Sequence, residues 1–405
     1  MHNKKILIVN TTLDKGGAAR VARDLFEHVD DVFDIFFAYG RGEKHFDKKT
    51  FKFGNNLEVF IHVFFVRFLG LEGFGSYFST RKLIGYIKKE KFDLVHLHNL
   101  HGYYLNFFTL VAFLKQENIP VVWTLHDEWA ITWLPAHSMG CDHCKSGVGI
   151  CTNTYTYPRN YFPFFARYML KKKREVFSSG WSPTLVCPSR WLQRNIADSF
   201  LGKFDIRVIS NGVDINLFAP TTDKDQLKRK YNLPLGKNIV LFSASNLNDA
   251  SKGIGHIISA AKLLQDKNYL FLCVGGGKIE GRENIKGINY IYDKIKFAEI
   301  CSIADLCCLA STAETFSLAA VEALSCGVPV VGFDIPVVRE IVNDDVGMLV
   351  EPSDEKILVR AITYLLDNDR KRNEMGINGR ELVVNNYSDK LFYKRYSDLY
   401  HEILI

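Results

Sequence analysis

Short apolar runs alternate with amphipathic stretches along almost the whole chain. The runs have the length of strands and few polar interruptions, which is typical of strands buried on both faces. Helical periodicity lies between most of them, for example over 254–264 and 355–366. The predicted strands cover residues 5–10, 93–98, 121–125, 184–188 and 205–209 in the first half of the chain, and 238–244, 269–274, 288–292, 305–310, 328–333 and 347–350 in the second. This alternation predicts an α/β architecture in which helices cover both faces of parallel sheets.

The alternation breaks near the turn dipeptide Asn211-Gly212. Residues 220–237 then mix Thr, Asp, Lys and Pro before a new strand begins. A chain of 405 residues is also long enough for two domains. We therefore predict two doubly wound, Rossmann-like domains, of residues 1–212 and 213–387. Ligands of such folds bind beyond the carboxyl ends of the strands, so the site is expected in the cleft between the domains.

The composition is that of a folded protein, and its charge is unevenly spread. Hydrophobic residues make up 47% of the chain and charged residues 24%, which excludes a disordered chain. The net charge of +6 is too small to imply nucleic acid, and no nucleic-acid partner is predicted. Residues 1–213 carry 28 Lys and Arg against 19 Asp and Glu, a balance of +9, whereas the remainder carries 23 against 26, a balance of −3.

No segment has the pattern of a signal peptide or a membrane span. The apolar residues 6–9 near the start are too few for a signal sequence, and the run at 59–66 is broken by His62. The nine cysteines include the adjacent pair Cys307 and Cys308 in an apolar run, which favours reduced thiols over a disulfide framework. A cytoplasmic location is therefore expected.

Two loops that follow predicted strands carry candidate chemistry. Gly16 and Gly17 follow the first strand, where glycines let the backbone approach an anionic ligand at a helix start. A tight strand–helix turn explains these two glycines equally well. The loop after 305–310 is more informative, because it carries Glu314 before a helix expected to begin near Ser317, and Glu322 lies inside that helix.

Two carboxylates that flank a helix start suit a phosphorylated sugar. The helix N–H groups and dipole hold phosphate, and the carboxylates accept hydrogen bonds from hydroxyl groups. The alternative is a Glu314 that only favours the helix dipole and an ordinary surface Glu322. A surface position is hard to reconcile with the apolar residues around Glu322.

This Glu-x7-Glu pattern resembles the signature of retaining nucleotide-sugar glycosyltransferases with the two-domain GT-B architecture, most closely glycosyltransferase family 4. The supporting segments are Gly16-Gly17, His126-Asp127, Ser210-Asn211-Gly212-Val213-Asp214, Lys252-Gly253, Gly275-Gly276-Gly277 and Gly327-Val328-Pro329-Val330-Val331. The resemblance implies that the first domain binds the acceptor and the second the donor. It also implies that a helix over 388–405 returns to the first domain.

The resemblance further implies a set of donor-binding residues. Glu314 is expected to contact the hydroxyl groups of the donor sugar, and Glu322 the ribose. The other expected donor contacts are Gly16, Gly17, Asn246, Lys252, Gly275, Gly276, Thr315, Phe316, Ser317 and Leu318. Lys252 can place a positive charge against a diphosphate, although a solvated lysine at a helix start has the same pattern. The family usually pairs this lysine with an upstream arginine, whereas this chain has Asn246, so either Asn246 donates a weaker hydrogen bond or another cation substitutes.

His126 follows the strand at 121–125 and precedes Asp127. By resemblance it is the active-site histidine of the acceptor domain, and with Glu314 and Lys252 it completes the predicted catalytic residues. The alternative is a structural histidine packed beside Trp123 or Trp129. His98 and Asp127 are predicted to line the acceptor pocket.

Two further segments have features that the donor site does not use. Cys141, Cys144 and Cys151 have the spacing with which a structural zinc site begins, although three reduced thiols in an ordered loop are the alternative. Aromatic residues at 161–168 precede the basic run Lys171, Lys172, Lys173 and Arg174, and a second aromatic stretch covers 60–78. These aromatics either pack in the core or meet an anionic membrane surface, and the +9 balance of this half favours the membrane.

The chain is thus predicted to be a retaining hexosyltransferase. The expected donor is a UDP- or GDP-linked sugar and the acceptor a saccharide or lipid-linked saccharide, in cell-surface polysaccharide biosynthesis on the inner face of the membrane. No cofactor and no catalytic metal are expected, because Lys252 and backbone amides stabilise the leaving diphosphate. The alternatives are a non-catalytic sugar-nucleotide-binding partner and a sugar-nucleotide epimerase of the same fold.

Overall fold

The computed structural model describes residues 3–29, 32–45, 47–147, 149, 157–279 and 282–404. The chain divides into two compact units, Met1–Ser210 together with Tyr393–Ile405, and Asn211–Phe392. The boundary between Ser210 and Asn211 lies slightly before the expected boundary at 212. The boundary between Phe392 and Tyr393 lies inside the last helix, Asp389–Leu404.

The first unit contains a parallel sheet of seven strands in the order β3-β2-β1-β4-β5-β6-β7. The strands are β1 (Lys4–Thr12), β2 (Phe33–Arg41), β3 (Thr50–Lys52), β4 (Leu94–Leu97), β5 (Val121–Thr124), β6 (Thr184–Cys187) and β7 (Ile206–Val208). The helices are α1 (Gly17–His28), α2 (Asn56–Phe64), α3 (Tyr77–Glu90), α4 (Phe107–Gln116), α5 (Ala166–Ser178) and α6 (Arg190–Ala197). The strand order reverses between β1 and β4, where doubly wound folds bind ligands.

The second unit contains a parallel sheet of six strands in the order β10-β9-β8-β11-β12-β13. The strands are β8 (Asn238–Asn246), β9 (Tyr269–Gly276), β10 (Ile285–Ile288), β11 (Leu306–Leu309), β12 (Val330–Phe333) and β13 (Gly347–Val350). The helices are α7 (Lys224–Lys230), α8 (Ile254–Leu263), α9 (Lys294–Ile303), α10 (Leu318–Ser325), α11 (Pro336–Arg339), α12 (Glu355–Leu366) and α13 (Asp369–Asn386), and α14 (Asp389–Leu404) ends the chain. Here the strand order reverses between β8 and β11.

The central strands are buried on both faces, which explains their continuous apolar sequence. Residues 6–9 of β1 are fully enclosed, and so are Cys307 and Cys308 of β11. Burial raises the pKa of Cys307 to about 12, so this thiol stays protonated and behaves as a small apolar side chain. Within the described ranges, no helix has the length and apolar character needed to cross a membrane.

Ten of the eleven predicted strands lie where the apolar runs place them, and one prediction is wrong. The run at 288–292 is not a strand, because β10 occupies Ile285–Ile288. It is an edge strand whose side chains are mostly half-buried or exposed, so it lacks the apolar pattern. The sequence analysis also missed β2 and β3. Asp34 and Gly40 interrupt the pattern of β2, and β3 is a half-buried edge strand of three residues.

Candidate active-site residues

Two loops at the reversal point of the second sheet lie side by side. The loop after β8 contains Lys252, and the loop after β11 contains Glu314. The backbone N–H of Thr312 donates to the carbonyl oxygen of Ser251 over 2.8 Å. Gly253 has a φ of 76°, and a Cβ at this position would overlap the carbonyl oxygen of Ala310. Gly253 therefore allows the two loops to approach closely, because only glycine fits at this position without strain.

Lys252 and Glu314 form an ion pair across these loops. The Nζ atom of Lys252 donates to Oε1 of Glu314 over 2.8 Å, and the side chains are 22% and 16% exposed. Burial disfavours the ammonium, but the Glu314 carboxylate more than offsets this effect and holds the pKa of Lys252 above its usual value. The structure thus brings together two of the predicted catalytic residues, and the raised pKa keeps Lys252 positively charged near neutral pH.

The helix α10 begins directly after Glu314. Ser317 is its N-cap, and its Oγ accepts from the backbone N–H of Ala320 over 3.4 Å. Thr315, Phe316 and Ser317 are buried, and Leu318 is half-buried. A capped helix start beside a lysine is suited to an anionic group, since the first N–H groups of a helix lack internal partners.

Glu322 is not a surface residue, so that alternative is wrong. It is 3% exposed and lies on α10 among buried neighbours. The pKa of Cys307 and of Cys326 is raised to about 12, mainly by burial and in smaller part by the negative charge of Glu322.

The other predicted donor residues have clear local roles. A Cβ on Gly275 would overlap the carbonyl oxygen of Ala244, and the N–H of Leu247 donates to the Gly276 carbonyl oxygen over 2.7 Å. Gly275 therefore allows the ends of β8 and β9 to approach, and the Gly276 carbonyl oxygen joins the loop after β8 to the end of β9. The Oδ1 atom of Asn246 accepts from the backbone N–H of Asn248 over 3.0 Å, which leaves the amide nitrogen for a ligand.

Gly16 and Gly17 lie in the first unit, at the carboxyl end of β1. Gly16 is the N-cap of α1 with a φ of 93°, a conformation that favours glycine. A Cβ built there would meet no atom within 4 Å. The space above this turn is therefore open, as the approach of a ligand requires.

The predicted acceptor-side residues meet beyond the carboxyl ends of β4 and β5. The Nδ1 atom of His98 lies 2.8 Å from Nε2 of His126, and the two rings stack at 5.1 Å. Asp127 pairs with His101, whose Nε2 lies 2.7 Å from the Asp127 Oδ2. Burial raises the pKa of Asp127, but His101 more than offsets this and holds it below its usual range.

His98 and His126 are neutral near pH 7. Burial lowers the pKa of His126 to about 4 and that of His98 well below its usual value. One ring of a neutral pair must donate and the other accept. Since His98 Nε2 is buried with no partner among the described residues, a proton on that atom would be a lost donor. We therefore place the His98 proton on Nδ1, where it donates to His126 and leaves the His126 proton on Nδ1.

A second buried network adjoins this pair and was missed by the sequence analysis. His96 Nδ1 lies 2.6 Å from the Tyr400 hydroxyl, and His96 Nε2 lies 2.7 Å from Thr124 Oγ1. The Tyr396 hydroxyl is 2.8 Å from the same Thr124 oxygen. The only signal in the sequence is the spacing of Tyr396 and Tyr400, which puts both on one face of the last helix.

Lys173 does not belong to an exposed basic run. It is fully buried on α5, and its Nζ donates to the carbonyl oxygens of Trp129 at 2.6 Å and Thr132 at 3.0 Å. The ammonium also lies 3.4 Å from the centre of the Trp129 ring. Burial lowers its pKa well below the usual value. The prediction of four basic residues at the surface is therefore wrong for Lys173.

The zinc prediction falls partly outside the described residues. Cys144 is buried and Cys141 half-buried, but Cys151 is not among the residues that the structure describes. Within the described part of the chain, the one group with ligand atoms close enough for a metal is Asp24, Glu27 and His28 on α1, of which the last two are exposed. The cysteine site remains a prediction.

Comparison with known proteins identifies the family. The chain matches the family model "Glycosyltransferase Family 4" over residues 15–217 and "Glycosyl transferases group 1" over 223–382. A similar curated protein is WcaC of Escherichia coli K12, named for a proposed role as a colanic acid biosynthesis glycosyl transferase, with 26% identity over 371 residues (87% of this chain and 88% of that protein). Another is the UDP-Gal:alpha-D-GlcNAc-diphosphoundecaprenol alpha-1,3-galactosyltransferase of Escherichia coli, 26% identical over 58% of this chain and 65% of that protein.

Solved structures of the same architecture cover nearly the whole chain. Sucrose-phosphate synthase from Thermosynechococcus elongatus aligns with a TM-score of 0.72 at 18% identity, over 99% of both chains. Anabaena HepE in complex with UDP-glucose aligns with a TM-score of 0.69 at 16% identity, over 98% of this chain and 99% of that one. The two doubly wound sheets therefore form the predicted GT-B fold, and the chain belongs to glycosyltransferase family 4.

Proposed function

We propose that the chain transfers a hexose from a nucleoside-diphosphate sugar to a saccharide or lipid-linked saccharide acceptor, with retention of anomeric configuration, in cell-surface polysaccharide assembly. The observation that carries the proposal is the ion pair of Lys252 and Glu314 directly before the capped start of α10. The cation and the free helix N–H groups match the diphosphate of such a donor, on which the leaving charge develops. The carboxylate at the same place matches the hydroxyl groups of the sugar.

Each of these groups has a role in the transfer. Negative charge builds on the leaving diphosphate as the bond to the sugar breaks. Lys252 and the N–H groups after Ser317 are fixed before the reaction and stabilise this charge without reorganisation. Glu314 accepts hydrogen bonds from the sugar and orients its anomeric carbon. We assign the charge stabilisation to these groups of the chain and expect turnover to persist in EDTA.

The relatives favour particular substrates. One of them is named for a UDP-Gal donor and a diphosphoundecaprenol-linked acceptor, and HepE was solved with UDP-glucose. A third relative is named as the capsular polysaccharide biosynthesis glycosyltransferase CapM of Staphylococcus aureus, 24% identical over 60% of this chain and 67% of that protein. We therefore propose a UDP-linked hexose and an acceptor of polysaccharide assembly. The buried thiols of Cys307 and Cys308 fit a cytoplasmic location.

The acceptor-side role is assigned to His126, His98 and Asp127. His126 is half-buried, whereas His96 and His98 are fully enclosed, so His126 is the histidine of this cluster that can meet a substrate. With its proton on Nδ1 it is a neutral hydrogen-bond donor at pH 7. We propose that it holds a sugar hydroxyl or its developing charge, and that His98 fixes its tautomer.

The test is nucleoside diphosphate release from a panel of UDP- and GDP-sugars, with and without polyprenyl-diphosphate-linked saccharides. Release that depends on acceptor and is lost in Glu314→Ala supports the proposal. Binding of a sugar nucleotide without release would make the chain a non-catalytic binding partner. Conversion of the sugar nucleotide without release would make it an epimerase. Loss of turnover in EDTA, restored by a divalent metal, would contradict the metal-free assignment.

A further inference from the structure

The first unit carries a surface of exposed aromatic rings that come from two distant segments. We call it the aromatic face, and it consists of Phe60, Phe64, Phe68, Phe74, Phe78, Tyr161, Phe162, Phe164 and Tyr168, all of which are exposed. Phe60, Phe78 and Phe164 are each more than 70% exposed. Scattered exposed apolar residues are ordinary, but a contiguous group of this kind marks an interaction surface.

The face is continuous because the fold joins its two segments. The Phe68 ring lies 5.6 Å from Tyr161, and Phe74 lies 6.2 Å from Tyr168. The backbone holds the same junction, since the N–H of Tyr161 donates to the Arg67 carbonyl oxygen over 2.8 Å. The aromatic face is therefore a fixed feature of the folded unit, and no single amphipathic helix accounts for it.

The exposed charged side chains within the two segments that form the aromatic face are basic. Residues 157–174 contain no Asp or Glu, and residues 56–82 contain only two acidic residues, Glu58 and Glu72. Glu72 is fully buried, and Glu58 accepts from the backbone N–H groups of Phe78 and Ser79. The exposed basic side chains in these two segments are Arg67, Arg81, Lys82, Arg159, Arg167, Lys171 and Arg174.

A groove between α3 and α4 extends this surface. It has a volume of about 560 Å³, and Tyr77 and Phe108 line it together with Arg81 and Lys88. The Phe108 ring is 5.0 Å from Phe74, so the groove opens next to the aromatic face. No acidic residue lines it.

We propose that the aromatic face and its basic border dock the protein on an anionic phospholipid bilayer. Aromatic rings prefer the boundary between headgroups and acyl chains, and nearby Lys and Arg are attracted to an anionic leaflet. Each basic residue contributes about a fivefold gain in partitioning at low salt, and this gain falls as salt screens the charges. The inference concerns a surface outside the donor site and does not depend on the proposed transfer reaction.

The test is flotation of the full chain with two kinds of vesicle, neutral phosphatidylcholine and a mixture containing phosphatidylglycerol. We expect binding to the anionic vesicles at low salt and release as salt rises. The charge variant is Arg159→Ser, Arg167→Ser and Lys171→Ser, which leaves the buried Lys173 in place. It should lose about a hundredfold in binding. Its matched control removes the same charge from the second unit through Lys356→Ser, Arg360→Ser and Arg370→Ser, and should lose far less.

An apolar variant separates the aromatic contribution from the charge. Phe60→Ser with Phe164→Ser should reduce binding at least tenfold, whereas Leu263→Ser with Ile377→Ser, which removes exposed apolar side chains from the second unit, should not. Arg159→Lys with Arg167→Lys should retain binding, because charge and not side-chain shape is required. Nucleoside diphosphate release with a soluble acceptor should be unchanged in all variants, so failure of the proposed function would leave this result intact.

Three results would overturn the proposal. Equal binding to neutral and anionic vesicles, or binding to neither, would exclude an anionic bilayer as the partner. Equal losses in the variant and its control would show an effect of net charge alone. A chain that is dimeric without vesicles and becomes monomeric in the apolar variant, with no vesicle binding, would make the aromatic face a contact between copies of the chain.

Discussion

The ion pair of Lys252 and Glu314 allows donor binding to be separated from turnover. In the free chain the Lys252 ammonium is held by the Glu314 carboxylate at 2.8 Å. With side chains that are 22% and 16% exposed, the pair lies between surface pairs and fully buried pairs, and we assign it a coupling of about 1 kcal/mol. The substitution Glu314→Gln removes this coupling while keeping the shape of the side chain. Lys252 is then free to meet a diphosphate.

Two opposite effects follow from that substitution. UDP without a sugar should bind Glu314→Gln at least as tightly as the original chain, with a gain of up to about fivefold. Turnover at saturating donor should fall about 10²-fold, or roughly 3 kcal/mol, because the carboxylate that orients the sugar is lost. Lys252→Ala should instead weaken UDP binding by about 10- to 100-fold, as expected for the loss of a charge-assisted hydrogen bond.

The assay combines calorimetric titration with UDP and measurement of UDP release for the original chain, both single variants and the double variant. Glu381→Gln and Lys262→Ala are the controls, since both side chains are exposed in the same unit. The reasoning is refuted if UDP affinity falls together with turnover in Glu314→Gln. Turnover close to that of the original chain would remove Glu314 from the site altogether.

Three further predictions concern the first unit. Lys173→Met should lower the free energy of unfolding by about 2–4 kcal/mol in urea titrations, because it leaves the Trp129 and Thr132 carbonyl oxygens without their donor. The control Lys171→Met, at the surface, should change the free energy of unfolding by less than about 0.5 kcal/mol. Acid should destabilise the chain, because histidines of the unfolded state are protonated near pH 6.5 whereas burial lowers the pKa of His96 in the folded chain to about 3. As the pH falls to about 5, His96 alone should lower the free energy of unfolding by about 2 kcal/mol. Urea titrations of His96→Gln should therefore show a loss of stability that is smaller by this amount. His98→Ala should lower turnover about tenfold or more without weakening UDP binding, and His98→Asn should restore part of it by placing a donor near the position of Nδ1; equal turnover of the two variants would contradict the tautomer assignment.

Much of the fold could be predicted because parallel sheets bury their central strands on both faces. The interiors of β1, β8 and β11 are uninterrupted apolar runs over residues 6–9, 239–242 and 306–309, so periodicity was not needed to find these strands. The edge strand β10 has one fully buried side chain, Ile285, and resembles a loop in sequence. Position in the sheet therefore decides whether a strand can be recognised from local sequence.

The donor-side residues could be named from sequence, but their contact could not. Most of the predicted residues lie at the end of a strand or in the loop that follows it, which is a local pattern. The contact of Lys252 with Glu314 joins residues 62 positions apart and requires that β8 pair with β11. That pairing is the reversal of strand order in the second sheet, which no single loop specifies.

The basic run 171–174 contains a helical pattern from which the burial of Lys173 could have been predicted. Counting the charges of the run did not reveal this pattern. On a helix of 3.6 residues per turn, Lys173 shares a face with Ala166, Met169, Leu170 and Phe177. All four of these residues are buried, and Lys173 is buried with them. A helix that presents such a stripe must either solvate the lysine or provide carbonyl oxygens, and this chain provides those of Trp129 and Thr132.

The histidines show where sequence alone fails to separate structure from function. His96, His98 and His126 are the same residue type at the ends of neighbouring strands, and all three have depressed pKa values. Burial and partners distinguish the three histidines. His96 is enclosed by Thr124 and by Tyr400 on the last helix, 304 positions away, and His98 is enclosed against His126. His126 itself is only half-buried. Because a group that meets substrate must be reachable, the order of burial is also an order of roles. His96 holds the last helix through Tyr400, and on the same order we propose that His98 sets the tautomer of His126 and that His126 acts on the ligand.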